Sequence, residues 1–289
     1  LYLKKFNFIK LVNYSLILLS LIGILSISQF SAEYNQAISK RFSSVILFIK
    51  STDYTKLEGN ALGTYGDLGC FSFDYVKTIT CGEGGAVVTN NEKFKINADR
   101  YSDHGHDHIG SDRGAESHPF MGYNYRISEL NAAVGLAQLK RLDDFIAIQK
   151  RNYTIIREAL SKVKGITFRS VPEGGEESYA FLSFFMPDSE QAKKASDLLK
   201  KSGVDGCFYW YNNNWHYYRK WQHLSTKQSL TKLSFEVNEL LPDYSEADFS
   251  KSDHWVGRNI SCLIKLSWSE NEVLERANKM GEVLSAIIQ

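Results

Sequence analysis

The loop around Lys77 carries the most suggestive nucleophile in the chain. Lys77 lies between two short apolar runs, Gly69–Phe73 and Gly85–Thr89, which we interpret as buried strands. Ser72 ends the first strand, where its hydroxyl and nearby N–H groups could hold a phosphate. A lysine beside desolvated surface has a lowered pKa and can condense with a carbonyl. The residues alone fit an ordinary surface lysine equally well.

Three glycines follow the lysine and allow the backbone to approach a bound group: Gly82, Gly84 and Gly85. A second polar cluster lies in Ser102–Gly122, where four histidines are interleaved with carboxylates: His104, His106, His108 and His118 with Asp103, Asp107 and Asp112. An H-x-H-x-H run beside carboxylates is compatible with a metal site. The spacing fits no established zinc pattern, however, and we predict no metal.

The elements around these residues alternate between strands and helices, which predicts an α/β fold. A helix is expected from Glu92 to about Tyr101, and a long loop from Asp103 to Tyr125. Ser128 is a plausible N-cap for a helix that runs to about Ala159 and links two domains, which we place at residues 56–145 and 146–289. The second domain is expected to contain three strands and two helices: Tyr179–Met186, Val204–Tyr211 and Ile260–Trp268, with Ser189–Ser202 and Glu270–Ile288.

Charge and cysteine usage exclude several functions. The net charge is +1, and no basic run interleaves with aromatic residues, so we predict no nucleic-acid partner. The four cysteines are far apart and form no CxxC pair. Reduced thiols in a cytoplasmic protein therefore fit better than a disulfide framework or a zinc knuckle.

Residues 1–55 have a different composition from the rest of the chain. No charged residue lies between Lys10 and Glu33, and Leu11–Phe30 is long enough to cross a bilayer. Lysines precede this stretch, as in a signal anchor. The alternative is that the stretch is an AT-rich coding strand translated in a wrong frame, and we favour this alternative.

Several motifs in series identify a family. The run GDLGCFSFDYVKTITCGEGGAVVTNN (Gly66–Asn91), followed by GYNYRISELNAAVGLAQLKRLD (Gly122–Asp143), resembles the DegT/DnrJ/EryC1/StrS sugar aminotransferases. The resemblance implies the fold-type-I architecture of pyridoxal-phosphate (PLP) enzymes and a homodimer with shared active sites. It also implies that Lys77 is the Schiff-base lysine, that Ser72 binds the cofactor phosphate, and that Asn124 reaches the phosphate of the neighbouring subunit. Dehydratase relatives carry histidine at the position of Lys77, so lysine favours transamination.

The histidine loop and Gly203–Trp221 resemble a subgroup that transfers an amino group from L-glutamate to the C8 aldehyde of 8-oxo-3,8-dideoxy-manno-octulosonate, an acidic sugar of lipopolysaccharide synthesis. This resemblance implies a carboxylate ligand, for which Arg113, His106 and His108 are the candidate donors, and His104 matches a family His-Gly pair. Aromatic residues would line the sugar: Trp210, Tyr211, Trp215 and His216. Core packing explains these aromatic residues equally well. A nucleotide-sugar 4-aminotransferase would share Lys77, Ser72 and Asn124.

The chain departs from the family at its beginning. We find no counterpart in residues 1–57 of the family's first phosphate loop, or of the aspartate that bonds the pyridine nitrogen. We therefore expect the N-terminal part of the large domain to be missing or replaced, with poor cofactor binding as the consequence. A membrane-tethered, non-catalytic relative is the remaining alternative.

Overall fold

The computed structural model describes residues 55–110, 112–213, 215–231 and 249–288. The chain divides into two compact units, one containing residues 55–146 and 171–177, the other residues 147–170 and 178–288. The predicted apolar segment, residues 1–55, lies outside the described residues except for its last one. Within the described ranges, no helix is both long and apolar enough to cross a membrane.

The first unit contains two small antiparallel sheets and mainly helical connections. Strand β1 (Lys56–Leu57) pairs with β2 (Asn60–Ala61) and, through a return of the chain, with β6 (Gly175–Glu176). Strands β3 (Gly69–Ser72) and β4 (Gly85–Val88) pair with each other. Both had been predicted from their apolar runs. The return at β6 was not predicted, because a two-residue strand leaves no periodic signal.

Three helices follow in the chain. Helix α1 (Glu92–Ser102) begins at Asn91, whose side chain accepts from two backbone N–H groups, and it ends within one residue of the prediction. Ser128 caps α2 (Glu129–Leu139), as predicted, and accepts from the Asn131 N–H at 3.2 Å. The expected single helix to Ala159 is wrong, because the chain breaks at Lys140 and restarts as α3 (Leu142–Ser161).

The first residue of α3 is buried where the chain restarts after the break. Leu142 is 1% exposed and joins a small apolar cluster with residues of the Lys77 loop and of β4: Phe73, Ile79, Cys81 and Ala86. Helical periodicity continues across the break in the sequence, so apolar spacing alone gives no sign of it.

The second unit is built on an antiparallel sheet in the order β5-β7-β9-β8. Its strands are β5 (Thr167–Phe168), β7 (Phe181–Phe185), β8 (Cys207–Phe208) and β9 (Asn259–Leu263). The helices are α4 (Ser189–Lys201), α5 (Gln222–Ser225), α6 (Ser250–Arg258) and α7 (Glu270–Ile288). The predicted strand Val204–Tyr211 is wrong over most of its length, because only Cys207–Phe208 pairs and a 3-10 turn follows at Trp210–Asn212.

The main core belongs to this second unit. The inward residues of β7 alternate, with Leu182 and Phe184 fully buried. Helix α7 buries one stripe at helical spacing: Val273, Ala277, Met280, Leu284 and Ile287. Residues of α3, α4 and β9 complete the cluster, including Ile156, Leu160, Leu199 and Ile260, together with Ile264 just after β9.

Candidate active site

The hairpin of β3 and β4 presents Lys77 on the loop that joins the two strands. Ser72 pairs with Gly85 at the last rung of the ladder, and the Phe73 N–H donates to the Gly84 carbonyl at 2.9 Å just beyond it. The Cys81 N–H donates to the Phe73 carbonyl at 3.0 Å and folds the far end of the loop back. The loop is therefore closed by backbone bonds at its base.

Some side chains of this loop are buried and attach it to the protein, whereas others are exposed. Phe73, Ile79 and Cys81 are buried in the apolar cluster, whereas the side chains of Ser72 and Lys77 point outward. The Lys77 side chain is 46% exposed. The expectation that desolvated surface surrounds the amine is therefore wrong for the chain by itself.

Asp74 brings the serine and the lysine together. The Ser72 hydroxyl donates to Asp74 Oδ2 at 3.2 Å, and Lys77 Nζ lies 3.8 Å from the same oxygen. Asp74 also shapes the turn, because its Oδ1 accepts from the Val76 N–H at 2.9 Å and its carbonyl accepts from the Lys77 N–H at 3.1 Å. The amine and the hydroxyl predicted to contact the cofactor therefore lie on one exposed edge, and this arrangement fits a group that needs both.

The glycines of this loop have structural reasons of their own. A Cβ on Gly84 would lie 2.6 Å from Cys81 Sγ, and one on Gly85 would lie 2.7 Å from the Phe71 carbonyl oxygen. Gly82 has φ +86°, a conformation that L side chains rarely adopt, with open space around it. Only Gly82 thus leaves room for another molecule, and the other two are required by the hairpin itself.

Asn124 lies on a different segment of the first unit. It forms an isolated bridge with Asp103, and its side chain is exposed and accepts from the Arg126 N–H at 3.4 Å. Exposed apolar side chains surround it in sequence: Met121, Tyr123, Tyr125, Leu130 and Val134. Its predicted contact with the neighbouring subunit's cofactor stays a prediction.

Asp103 is the centre of a charged network that the sequence did not identify. Its side chain is 9% exposed and accepts from Arg113 at 2.6 Å, from His108 Nε2 at 3.1 Å, and from Arg126. The other ring nitrogen of His108 lies 2.6 Å from Asp99. Backbone bonds between residues 101–104 and 123–125 close the loop beside this network.

The network shifts the pKa of two groups in opposite directions. Burial alone would raise the pKa of Asp103, but hydrogen bonds from His108, Arg126 and Arg113 lower it below the ordinary value. Burial alone would lower the pKa of His108, but hydrogen bonds to Asp99 and Asp103 raise it. The carboxylate and imidazolium forms therefore stabilise each other.

These contacts occupy polar groups of the histidine loop, whose predicted roles in binding substrate stay predictions. Both ring nitrogens of His108 are bonded to protein carboxylates, so in this arrangement His108 has no donor left for a substrate carboxylate. His106 Nδ1 lies 3.1 Å from Glu116, and Arg113 uses one amine on Asp103. His104 is exposed at φ +57°. Among the described residues, no group of His, Cys, Asp and Glu side chains has a geometry that could hold a metal ion.

In the aromatic segment of the second unit, some side chains pack against the core and others are exposed. Tyr211 is half-buried, stacks on Tyr209, contacts Tyr217 in a tilted arrangement and packs against the core. Trp215 is 57% exposed, and His216 lies edge-on to Trp210 at 5.0 Å between ring centroids. Trp215 and His216 are thus the exposed candidates for contact with a sugar on this segment, and the predicted role of Tyr211 stays a prediction.

Comparison with known proteins identifies the class to which this fold and site belong. The fold is that of an aminotransferase: the chain superposes on an aminotransferase from Psychrobacter cryohalolentis with a TM-score of 0.63 and 23% identity, over 81% of this chain and 60% of that one. Residues 52–240 match the DegT/DnrJ/EryC1/StrS aminotransferase family. The chain belongs to this family.

Two curated relatives illustrate the family's members. A GDP-perosamine synthase of Escherichia coli O157:H7 is 38% identical over 109 residues, which are 38% of this chain and 29% of that protein. A GDP-4-keto-6-deoxy-D-mannose 3-dehydratase of Yersinia pseudotuberculosis is 32% identical over 159 residues, 50% of this chain and 40% of that protein. The chain thus spans well under half the length of either relative.

Proposed function

We propose that this protein is a PLP-dependent sugar aminotransferase that moves an amino group from L-glutamate to the keto group of a nucleotide-linked sugar. The observation that carries the proposal is the grouping of Lys77 and Ser72 on one exposed edge, each within 4 Å of Asp74 Oδ2. Membership of the family supports the same chemistry. When bound, PLP supplies an electron sink for the carbanion formed at the donor's α-carbon.

The residues of the chain have distinct tasks in this proposal. Lys77 Nζ would hold the cofactor covalently, and its amine would be the base that moves a proton from the donor's α-carbon. The Ser72 hydroxyl, which donates to Asp74 Oδ2 in the structure, would turn to donate to the cofactor phosphate when the cofactor binds. Asp74 orients both groups, because it accepts from Ser72 and stays within ion-pair distance of the amine. Phe73 on one side of the loop and Ile79 and Cys81 on the other are buried, and their packing holds the loop in position.

The choice of sugar is supported by the relatives rather than by the geometry of the site. The Escherichia coli and Yersinia pseudotuberculosis relatives are named for GDP-linked sugars. This favours a nucleotide-linked keto sugar as acceptor. The free acidic octulosonate remains a second candidate, supported by the resemblance of residues 102–122 and 203–221 to the corresponding subgroup.

The proposal includes a homodimer with shared active sites and a cytoplasmic location. Exposed apolar side chains near Asn124 support the dimer, because Tyr125 is 64% and Leu130 81% exposed in the single chain. The four free cysteines support a reducing compartment. The alternative of a membrane-tethered relative rests on residues 11–30, which lie outside the described residues.

The experiment is a visible spectrum of the purified protein with PLP, before and after addition of glutamate. We expect an absorption band that glutamate abolishes, that is missing in Lys77→Ala, and that persists in the control Lys95→Ala, which replaces a lysine on helix α1. An unchanged band in Lys77→Ala would refute the assignment of the lysine. A panel of a GDP-linked 4-keto sugar and the free 8-oxo octulosonate, each followed by amino-sugar formation, then decides the acceptor.

A further inference from the structure

Two cysteines that are 55 positions apart in the sequence face each other in the second unit. Cys207 of β8 and Cys262 of β9 are direct partners in the antiparallel register. The Leu263 N–H donates to the Gly206 carbonyl at 2.9 Å, on the flank of this pair. Because the bond joins the two flanking residues, the cysteines occupy a non-hydrogen-bonded position of the ladder.

This position brings the two thiols within bonding reach. Partners at non-hydrogen-bonded positions have Cα atoms about 4.5 Å apart, with their side chains on the same face of the sheet. Disulfides span Cα separations of roughly 4.4–6.8 Å. Both cysteines are free in the structure. The backbone thus already holds them at a separation that a disulfide can span.

The surroundings distinguish the two thiols. Cys262 is 0% exposed, whereas Cys207 is half-buried on β8, which lies at the edge of the sheet. A hydrogen bond from Cys262, helped by the charge of Arg276, lowers the pKa of Cys207 against the opposing effects of burial and Asp205. The same hydrogen bond, together with burial, raises the pKa of Cys262. A thiolate beside a guanidinium is the reactive form of cysteine.

Arg276 is held in place for this effect. Its guanidinium lies 4.2 Å from the centroid of the Trp268 ring and donates to the Asp205 carbonyl at 2.7 Å. Arg276 and Lys265 both pair with the Asp205 carboxylate, whose charge opposes the effect of Arg276 on the pKa of Cys207. These contacts hold the Arg276 guanidinium close to β8.

We propose that Cys207 and Cys262 are a redox-active dithiol, in which small disulfides such as oxidised glutathione convert the pair to an intramolecular disulfide. The Cys207 thiolate attacks one sulfur of glutathione disulfide, which forms a mixed disulfide and releases one glutathione thiolate. Cys262 then loses its proton and attacks the Cys207 sulfur, which expels the second glutathione. The protein loses two protons and two electrons, and one glutathione disulfide becomes two glutathione thiols.

The disulfide would link β8 covalently to β9, although β8 forms few backbone contacts with the sheet. Strand β8 pairs with β9 through only Cys207 and Phe208, and the aromatic segment with Trp210 and Trp215 follows immediately. The disulfide fixes the start of this segment to the central part of the sheet. Oxidation is therefore expected to slow backbone hydrogen exchange in residues 206–213.

The test is incubation of the full chain with oxidised glutathione, followed by alkylation of remaining thiols, digestion and mass spectrometry. We expect a crosslinked peptide that joins Cys207 to Cys262, while Cys70 and Cys81 are alkylated. Reduction with excess thiol should regenerate both alkylatable cysteines. Complete alkylation of Cys207 and Cys262 after oxidation would overturn the proposal, as would crosslinks that involve other pairs instead.

Two variants test the order of attack. In Cys262→Ser, the mixed disulfide with glutathione should accumulate on Cys207, because no second thiol resolves it. In Cys207→Ser, the buried Cys262 should acquire no glutathione. Glutathione on Cys262 in the second variant, or its absence from Cys207 in the first, contradicts the assigned roles. Cys70→Ser is the matched control and should form the Cys207–Cys262 crosslink as the native chain does.

Discussion

Replacing Asp103 by asparagine should loosen the loop that carries Asn124. The substitution keeps the shape of the side chain but removes the charge that His108, Arg113 and Arg126 share. His108 is 15% exposed, so its bond to a charged group is expected to contribute about 1.5 kcal/mol. The two arginines are 58% and 42% exposed, so solvent screens them and each contributes about 0.5 kcal/mol.

The sum of these contributions is about 2.5 kcal/mol, of which the remaining amide oxygen retains a part. We therefore expect a loss of about 2 kcal/mol, which corresponds to roughly a thirtyfold change in the opening equilibrium of the loop. The amides that report it close the loop: His104 N–H to the Tyr123 carbonyl at 3.0 Å, Tyr123 N–H to the Tyr101 carbonyl at 2.8 Å, and Tyr125 N–H to the Ser102 carbonyl at 2.9 Å.

Hydrogen exchange followed by mass spectrometry on peptides covering residues 101–125 measures this opening directly. The matched control is Asp112→Asn, which removes a carboxylate of the same loop that is exposed and accepts from the Gly114 N–H. Its protection should change by less than about threefold, as is usual for surface substitutions. Unchanged protection in Asp103→Asn, or an equal loss in Asp112→Asn, would refute the role of Asp103 as the centre of the network.

Three further predictions follow from the same contacts and from the cores. Because the pKa of His108 is raised in the folded protein, the stabilisation by its charged form is complete below about pH 6.5 and is lost as the pH rises through the folded pKa. Titration of His108 by NMR should therefore give a lower pKa in Asp99→Asn than in the native chain. An unchanged pKa in that variant would argue against the His108–Asp99 pair. Gly105→Ala should expose the loop to proteolysis, because φ is +88° and the new Cβ would lie 2.0 Å from the Phe120 carbonyl oxygen, whereas Gly281→Ala, with open space around it, should not. Phe184→Ala should cost about 3–5 kcal/mol in urea unfolding of the second unit, since the side chain is 0% exposed, and a loss below about 1 kcal/mol would contradict its place in the core.

Local patterns predicted those parts of the fold that depend on neighbours in the sequence. The strands on either side of Lys77 follow from apolar runs bounded by glycine, and the helix Glu270–Ile288 has the predicted bounds because its buried residues recur at helical spacing. Ser128 was identified as an N-cap from its residue type alone. In each case the determining interaction lies within a few residues along the chain.

Features that depend on distant partners were missed or assigned to another role. Asp103 draws on His108, Arg113 and Arg126, and its carboxylate was taken only as part of a possible metal cluster. The histidines were read as candidate ligands because their carboxylate partners, among them Asp99 on α1, cannot be recognised without the fold. The pairing of β8 with β9 likewise depends on register, which the apolar run Val204–Tyr211 does not encode.

If the proposed dimer has shared active sites, two inactive variants should restore activity when they form mixed dimers. Lys77→Ala removes the proposed Schiff-base lysine, and Asn124→Ala removes the residue proposed to act on the neighbouring subunit. Each variant alone should therefore lack the glutamate-dependent change of the cofactor spectrum. If the variants are mixed and allowed to exchange subunits, half of the dimers contain one of each, and one of their two sites has both Lys77 and Asn124 intact. The mixture should therefore recover about one quarter of the native signal.

The size of this recovery separates the possible arrangements. Asn124 is exposed and makes its hydrogen bond within its own segment, so it is available to another molecule. If Lys77 and Asn124 served the same site within one chain, no exchanged dimer would contain a complete site and the mixture would stay inactive. A mixture of Lys77→Ala with Lys95→Ala is the matched control: its recovery should reflect only the intact Lys77 sites, whether or not subunits exchange. Absence of recovery in the first mixture, despite proven subunit exchange, would place both residues in one protomer and remove the argument for a shared site.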